Sequence, residues 1–237
     1  AYEMELRLVG SEMCIRDSYM LMTAAKNVTR DVRLVFDFIE RPYSPVRFKE
    51  LLVSPNEMKQ KFSRLINEEI KNKQAGKPAY ILIKINHITD PVMVKKLYEA
   101  SSHGVRIDLL VRGNCSLITG VPGVSDTIRI NGIIDRYLEH SRIFIFANGG
   151  DEKMFIGSAD WMPRNLDNRV EVIAPVYDPE IKADLKRVVE YGLKDTLQGR
   201  VVDGTGENRP WISEDKTAFR SQEELYKYYL NENRIKD

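Results

Sequence analysis

Two hydrophobic periods alternate along this chain and lay out its elements. Between Val28 and Glu40, Val32, Val35, Phe36 and Ile39 share one stripe at helical spacing, which predicts an amphipathic helix that Pro42 ends. Arg41-Pro42-Tyr43-Ser44-Pro45 is a stiff connector and a candidate domain boundary. Ser54-Pro55-Asn56-Glu57 has the chemistry of a capping box, with Ser as N-cap, Pro at the first helical position and Glu at the third. The helix it predicts carries Met58, Phe62, Leu65, Ile66 and Ile70 inward, and Gly76 closes it. The run Tyr80 to Asn86 then reads as a buried strand, Asp90-Pro91 as the start of a helix with Val94, Leu97 and Tyr98 on its core face, and Gly104 as its stop. Val105 to Arg112 is a second strand. Strand, helix and strand in this order predict a parallel pair with a right-handed crossover.

The second half is strand-rich. Gly120 to Gly123 is a loop and Thr127 to Ile130 a short strand. From His140 the residues alternate: His140, Arg142, Phe144 and Phe146 on one face, Ser141, Ile143 and Ile145 on the other. Asn148-Gly149-Gly150-Asp151 is hairpin chemistry, and Lys153 to Ile156 lead back into Gly157-Ser158-Ala159-Asp160. Arg169 to Val176 is a further strand, and Asp178-Pro179 opens a long helix with Ile181, Leu185, Val188, Val189 and Leu193 inward. Residues 199–216 read as a loop rich in glycine and charge. Ser221-Gln222-Glu223-Glu224 then caps a last helix whose Tyr226, Tyr228 and Tyr229 pack on the domain or on a partner chain. The pattern is that of an α/β protein.

Composition narrows the functions open to it. A chain of 237 residues holds one or two domains, and 36 Lys and Arg against 35 Asp and Glu leave a net charge of +1. A polyanion site must therefore be a local concentration of positive charge. Cys14 and Cys115 are too few for a disulfide framework, and His87, His103 and His140 have no metal-ligand spacing. No run of 18 apolar residues and no signal-peptide pattern is present. Residues 1–18 contain L-V-G-S-E-M-C-I-R-D-S and read as a non-native leader, translated from a sequencing adapter.

The chemistry gathers in two places. An imidazole with a guanidinium two residues on, His140 and Arg142, suits a phosphoryl group: the imidazole handles a proton or a phosphoryl, and the arginine forks onto oxygens. Arg112, in V-R-G-N, ends a parallel strand, where ligands of open sheets bind, and shares that rim with Asn86, His87, Gly113 and Asn114. The bland alternative for each is a solvated strand-end side chain.

Residues 134–150 (I-D-R-Y-L-E-H-S-R-I-F-I-F-A-N-G-G) and 157–172 (G-S-A-D-W-M-P-R-N-L-D-N-R-V-E-V) resemble the polyphosphate kinases that have a phospholipase D-like catalytic core. Segments 109–118, 51–55 and 33–43 extend the resemblance, which runs from about residue 19 to about 200. It implies a phospholipase D-like mixed sheet flanked by helices on both faces. It also implies reversible transfer of the terminal phosphoryl group of ATP to inorganic polyphosphate, through a phosphohistidine and with Mg2+. Carried over, Arg112 is a nucleotide-phosphate ligand. His140 binds nucleotide phosphate and assists as acid or base, and Arg142 stands where the wider superfamily has a lysine. Lys84, Arg129, Arg164 and Arg169 would line a polyphosphate path, with ordinary surface charge as the alternative for at least half of them. The implied phosphohistidine and magnesium ligands have no counterpart in this sequence. The expectation is therefore a fragment, inactive alone: leader 1–18, the tail of a preceding catalytic domain over 19–46, a C-terminal catalytic domain over 47–200, and a loop and helix over 201–237. The expected setting is a cytoplasmic homo-oligomer, with or without peripheral contact at the inner membrane, whose partners are ATP, ADP and polyphosphate, not nucleic acid. A phosphodiesterase or phosphatidyl-transferase of the phospholipase D type is disfavoured, because its H-x-K-x-x-x-x-D pattern needs an acid where Ala147 stands. A non-catalytic anion-binding or oligomerisation module is the third reading.

Overall fold

The computed structural model describes residues 19–42, 45–212 and 217–234. Residues 1–18, expected to be a leader, and Tyr43-Ser44 of the connector lie outside them. One eight-stranded sheet organises the rest. Its strands are β1 (Leu52–Ser54), β2 (Tyr80–Ile85), β3 (Arg106–Val111), β4 (Ile128–Ile133), β5 (Ile143–Phe146), β6 (Lys153–Gly157), β7 (Glu171–Val176) and β8 (Gly199–Val201). Their order across the sheet is β1-β7-β6-β5-β2-β3-β4-β8. Strands β2, β3 and β4 are parallel and the remaining pairings antiparallel, so the sheet is mixed, as expected.

Helices α2 (Met58–Gln74) and α3 (Pro91–Ser102) cover one face. Met58, Phe62, Ile66, Met93 and Leu97 are wholly buried there against Ile81, Ile83, Ile107, Leu109, Phe144 and Trp161. Helix α4 (Pro179–Lys194) covers the other face through Leu185, Val188 and Val189, against Leu82, Leu110, Ile143 and Ile145. Alternation along β2, β3 and β5 supplies both layers, which is why these strands read as unbroken apolar runs. Helix α5 (Ser221–Arg234) packs beside α4, where Tyr229 donates to Asp184 at 3.0 Å and the Arg187 guanidinium lies 4.0 Å above the Tyr228 ring.

Several local expectations are corrected. Helix α1 (Lys26–Glu40) buries Val28, Asp31, Val35 and Phe38, not the stripe with Val32, Phe36 and Ile39, which is exposed. Asp31 turns the helix: its buried carboxylate accepts the N–H groups of Glu50 at 2.6 Å and Leu51 at 3.2 Å. Burial pushes this carboxyl up, but the Arg30 guanidinium and these backbone donors more than offset it, so its pKa falls below the usual value. Ser54 does not cap α2; it ends β1, and its hydroxyl donates to the carbonyls of Asn165 at 2.6 Å and Arg169 at 2.7 Å. Ile181 of α4 is largely exposed. The 199–216 stretch is not all loop, since β8 pairs with β4, and the buried Trp211 donates to Leu193 O at 2.8 Å. The strand expected from His140 enters its ladder only at Ile143. The hairpin after it closes through a tight turn in which Asn148, Gly149 and Gly150 have φ of 47°, 70° and 109°.

Candidate active site

The carboxyl ends of β2 and β3, the start of β5 and the end of β6 meet at one edge of the sheet. Parallel pairing sets Ile85 opposite Val111, so Asn86 and Arg112 leave adjacent strands side by side. Antiparallel pairing sets Ile143 opposite Ile156, which brings the His140–Arg142 segment alongside Gly157 to Asp160. The cluster is therefore a product of register.

Arg112, Asn86 and His140 form a closed contact set. Arg112 Nε donates to Asn86 Oδ1 at 2.6 Å, Arg112 Nη2 lies 3.2 Å from His140 Nδ1, and Asn86 Nδ2 lies 3.3 Å from the same nitrogen. Asn86 is buried, whereas Arg112 and His140 are partly exposed. His140, Ser141 and Arg142 line a groove of about 380 Å³ with Tyr19, Leu21, Gly157 and Ser158. Arg112 and His140, 28 residues apart in the chain, are thus brought to one spot, and Asn86, 26 residues before Arg112, is the residue that joins them.

Arg142 is used differently from the sequence expectation. Its guanidinium forks onto Asp160, with Nη2 at 2.9 Å and Nε at 3.2 Å, while Nη1 donates to His140 O at 2.8 Å. Only about a tenth of its side chain is exposed. Asp160 also accepts the backbone N–H of Asn86 at 3.0 Å and of His87 at 3.3 Å. Burial raises the Asp160 pKa, but the Arg142 guanidinium and the backbone donors win, so the carboxyl stays ionised below its usual range. Arg142 thereby holds the backbone that carries His140. Gly157 makes the close approach of β6 and β7 possible: a Cβ there would sit 2.2 Å from Val172 O.

Of the four residues assigned to a polyphosphate path, Lys84 and Arg129 are held in ion pairs with partly or fully buried carboxylates. Lys84 is buried, paired with Glu139 at 2.8 Å and with Ser141 Oγ at 2.7 Å. Arg129 pairs with the buried Asp108 at 2.7 Å and lies over the Trp211 ring. Arg164 opens and Arg169 follows a short π-helical turn, Arg164–Asn168, in the connection from the end of β6 to the start of β7. Both are exposed, and Arg169 pairs with Glu171 at 3.3 Å.

Asn86 and Asp160 were not among the residues assigned a role from sequence. The available signal was positional: Asn86 is a polar residue closing an apolar strand, and Asp160 ends the G-S-x-D return. Among the described residues no group of three or more His, Cys, Asp or Glu converges as a metal site. Asp160, which accepts the Asn86 N–H, is already held on both oxygens by Arg142, and Glu139, beside His140, is paired with Lys84. These residues do not fit a magnesium ion.

Fold and site together define an α/β domain with an imidazole–guanidinium–amide cluster at the carboxyl edge of its central parallel strands. The family model described as polyphosphate kinase C-terminal domain 2 matches residues 51–222, and the chain belongs to this family. It is 44% identical over 210 residues to a polyphosphate kinase of Escherichia coli strain K12, and 45% identical over 214 residues to one of Klebsiella pneumoniae. These alignments take in 89% and 90% of this chain but only 30% and 31% of those proteins. The crystal structure of polyphosphate kinase from Porphyromonas gingivalis superposes with a TM-score of 0.85 at 39% identity, over 90% of this chain and 33% of that one. The chain thus spans about a third of the length of the relatives it matches.

Proposed function

We propose that this chain supplies one half of a polyphosphate kinase active site, the half that grips the phosphates of ATP and of the polyphosphate end. The observation that carries this reading is the convergence of Arg112 and His140 through Asn86 at the sheet edge. Phosphoryl transfer asks little covalent chemistry of a protein; it asks for positioned cations and hydrogen-bond donors around oxygens that carry dense negative charge. Arg112 and His140 are the phosphate ligands in this reading. Arg142, held by Asp160, positions His140 and does not itself grip phosphate. Arg164 and Arg169 extend the positive rim toward a longer anion. The phosphohistidine and the ligands of the magnesium that accompanies ATP come from outside this chain. In the same reading the enzyme is a cytoplasmic homo-oligomer; no helix among the described residues is long and apolar enough to cross a membrane.

The test is a graft. Residues 19–234 replace the matching segment of the E. coli relative, and ATP-dependent polyphosphate synthesis is measured. The graft is expected to be active, and Arg112→Ala or His140→Ala to cost about a hundredfold or more in rate, the scale seen when one preorganised donor is removed. Synthesis at the parental rate in both variants would refute the reading. Incubated alone with γ-labelled ATP, the chain is expected to form no phosphohistidine.

A further inference from the structure

The proton of each histidine can be placed from its neighbours. His140 Nδ1 faces Arg112 Nη2 at 3.2 Å, and a guanidinium only donates. Asn86 faces the same nitrogen at 3.3 Å. Its amide cannot be reversed, because Arg112 Nε donates to it at 2.6 Å and so requires the oxygen on that side. Both neighbours therefore donate to Nδ1, whose lone pair must be present. An imidazolium has no such lone pair, and an Nδ1–H ring would set its own N–H against two others. These two contacts fit a neutral ring with its proton on Nε2. His87 has the same form, since its Nδ1 accepts the Asn114 N–H at 2.9 Å. His103 has the opposite form, because its Nδ1 faces the carbonyl of Glu99 at 2.8 Å and must donate to it.

We propose that Asn86 is a positioning residue that holds His140 as the Nε2–H tautomer, so that His140 serves a bound phosphoryl group as a hydrogen-bond donor and not as a nucleophile or proton-transferring acid or base. The clause about phosphoryl rests on the function proposed above; the tautomer does not. Nucleophilic attack from Nε2 needs a lone pair where the proton sits. Full transfer of that proton from a neutral ring would leave an imidazolate, so the proton is shared with an oxygen and stays on nitrogen. Neutral imidazoles polarise substrate oxygens elsewhere in this way. Asn86 is itself fixed on both sides: its N–H donates to Asp160, and its carbonyl accepts the Gly113 N–H at 2.9 Å.

The experiment labels the histidines of the 237-residue chain with nitrogen-15 and reads two-bond proton–nitrogen correlations at about pH 8, above the ordinary imidazole range. His140 and His87 are expected to show the Nε2–H pattern and His103 the Nδ1–H pattern. Asn86→Asp replaces the donor facing Nδ1 with an acceptor and is expected to convert His140 alone to the Nδ1–H form, with His87 and His103 unchanged as reporters of an intact fold. An Nδ1–H His140 in the wild-type chain overturns the proposal, as does an unaltered His140 in a folded Asp variant. If that variant does not fold, Asn86→Ala is read instead: a mixture of tautomers at His140 supports the role of Asn86, and a pure Nε2–H signal overturns it. In the graft, His140→Gln restores an N–H near the Nε2 position and is expected to stay within about tenfold of wild type, whereas His140→Ala loses about a hundredfold or more. Equal losses overturn the donor role. An inactive graft refutes the proposed function, and with it the phosphoryl clause, while the tautomer stands or falls on the spectrum.

Discussion

Asp160 gives the sharpest test of how the site is held. Asp160→Ala removes the bidentate partner of Arg142 and strands the N–H groups of Asn86 and His87. Breaking a buried ion pair from one side costs about 3–5 kcal/mol, because the remaining charge is left without compensation. Arg142 keeps one acceptor, the His140 carbonyl at 2.8 Å, so the middle of that range, about 4 kcal/mol, is the expectation. Arg142→Met is milder, about 2–3 kcal/mol, since the Asp160 carboxylate retains its backbone donors. The pair should couple: the double variant loses about 2 kcal/mol less than the sum of the single losses. Urea titration of the chain by circular dichroism measures all three, with an unchanged denaturant slope as the check that only stability moved. The melting midpoint of Asp160→Ala should fall by roughly 8–16 °C at this chain length. The pH dependence has a definite sign. The folded carboxyl titrates below its usual value and the unfolded one near it, about 3.9. On acidification the unfolded state takes the proton first. The advantage of wild type over Asp160→Asn is therefore full above about pH 5 and fades as the pH drops through the folded value. A loss under about 1 kcal/mol for Asp160→Ala, or strict additivity in the cycle, would refute this account of the pair.

Three further outcomes are expected. Gly157→Ala forces a methyl group to within 2.2 Å of Val172 O and 2.7 Å of Ile173 Cα, both backbone atoms, so β6 and β7 must part; a loss of about 3 kcal/mol in the same titration is expected. Asp31→Ala leaves the N–H groups of Glu50 and Leu51 without their acceptor and should cost about 2 kcal/mol, read as a lowered urea midpoint. Arg164→Ala and Arg169→Ala should each weaken polyphosphate binding by about three- to tenfold at low salt, with the difference closing as salt rises, measured by calorimetry against chains of defined length.

What the sequence made legible is what local chemistry decides. Asp90-Pro91 announces α3 because the carboxylate caps the N–H groups of Val92 and Met93, two and three residues on, at 3.0 Å. The apolar runs of β2 and β3 announce a strand pair covered on both faces. The meeting of Arg112 with His140 was foreseeable as a shared edge, since both stand at strand ends on the rim of one sheet. The failures are long-range satisfactions that outbid local ones. Ser54 has every neighbour a capping box needs, yet carbonyls more than a hundred residues away take its hydroxyl. Asp31 counts as polar in any periodicity, yet two backbone donors 19 and 20 residues on draw it into the interior and rotate α1 with it. Arg142 looked like a fork for phosphate because a guanidinium two residues after a histidine has no visible partner. The partner, Asp160, becomes visible only when the hairpin is folded in register.

That register has an anchor in the interior. Trp161, the residue after Asp160, is wholly buried and packs on Phe62 of α2 and Phe144 of β5, with ring centroids 5.2 and 5.8 Å away. Its backbone is tied to the other side of the site: its N–H donates to His87 O at 3.1 Å, and its carbonyl receives the N–H groups of Thr89 and Asp90 at 2.8 and 2.9 Å. Asp160 is thus held between a packed indole and the segment that follows β2, and from there it fixes Asn86 through one backbone bond and Arg142 through two side-chain bonds. Removing a buried tryptophan costs about 3–5 kcal/mol in packing, so the core that sets Asp160 resists displacement far more strongly than any single exposed contact at the rim. The orientation of Arg112 and His140 is in this sense inherited from α2 and β5: helix and strand place the indole, the indole places the carboxylate, and the carboxylate places the residue whose amide joins the two side chains.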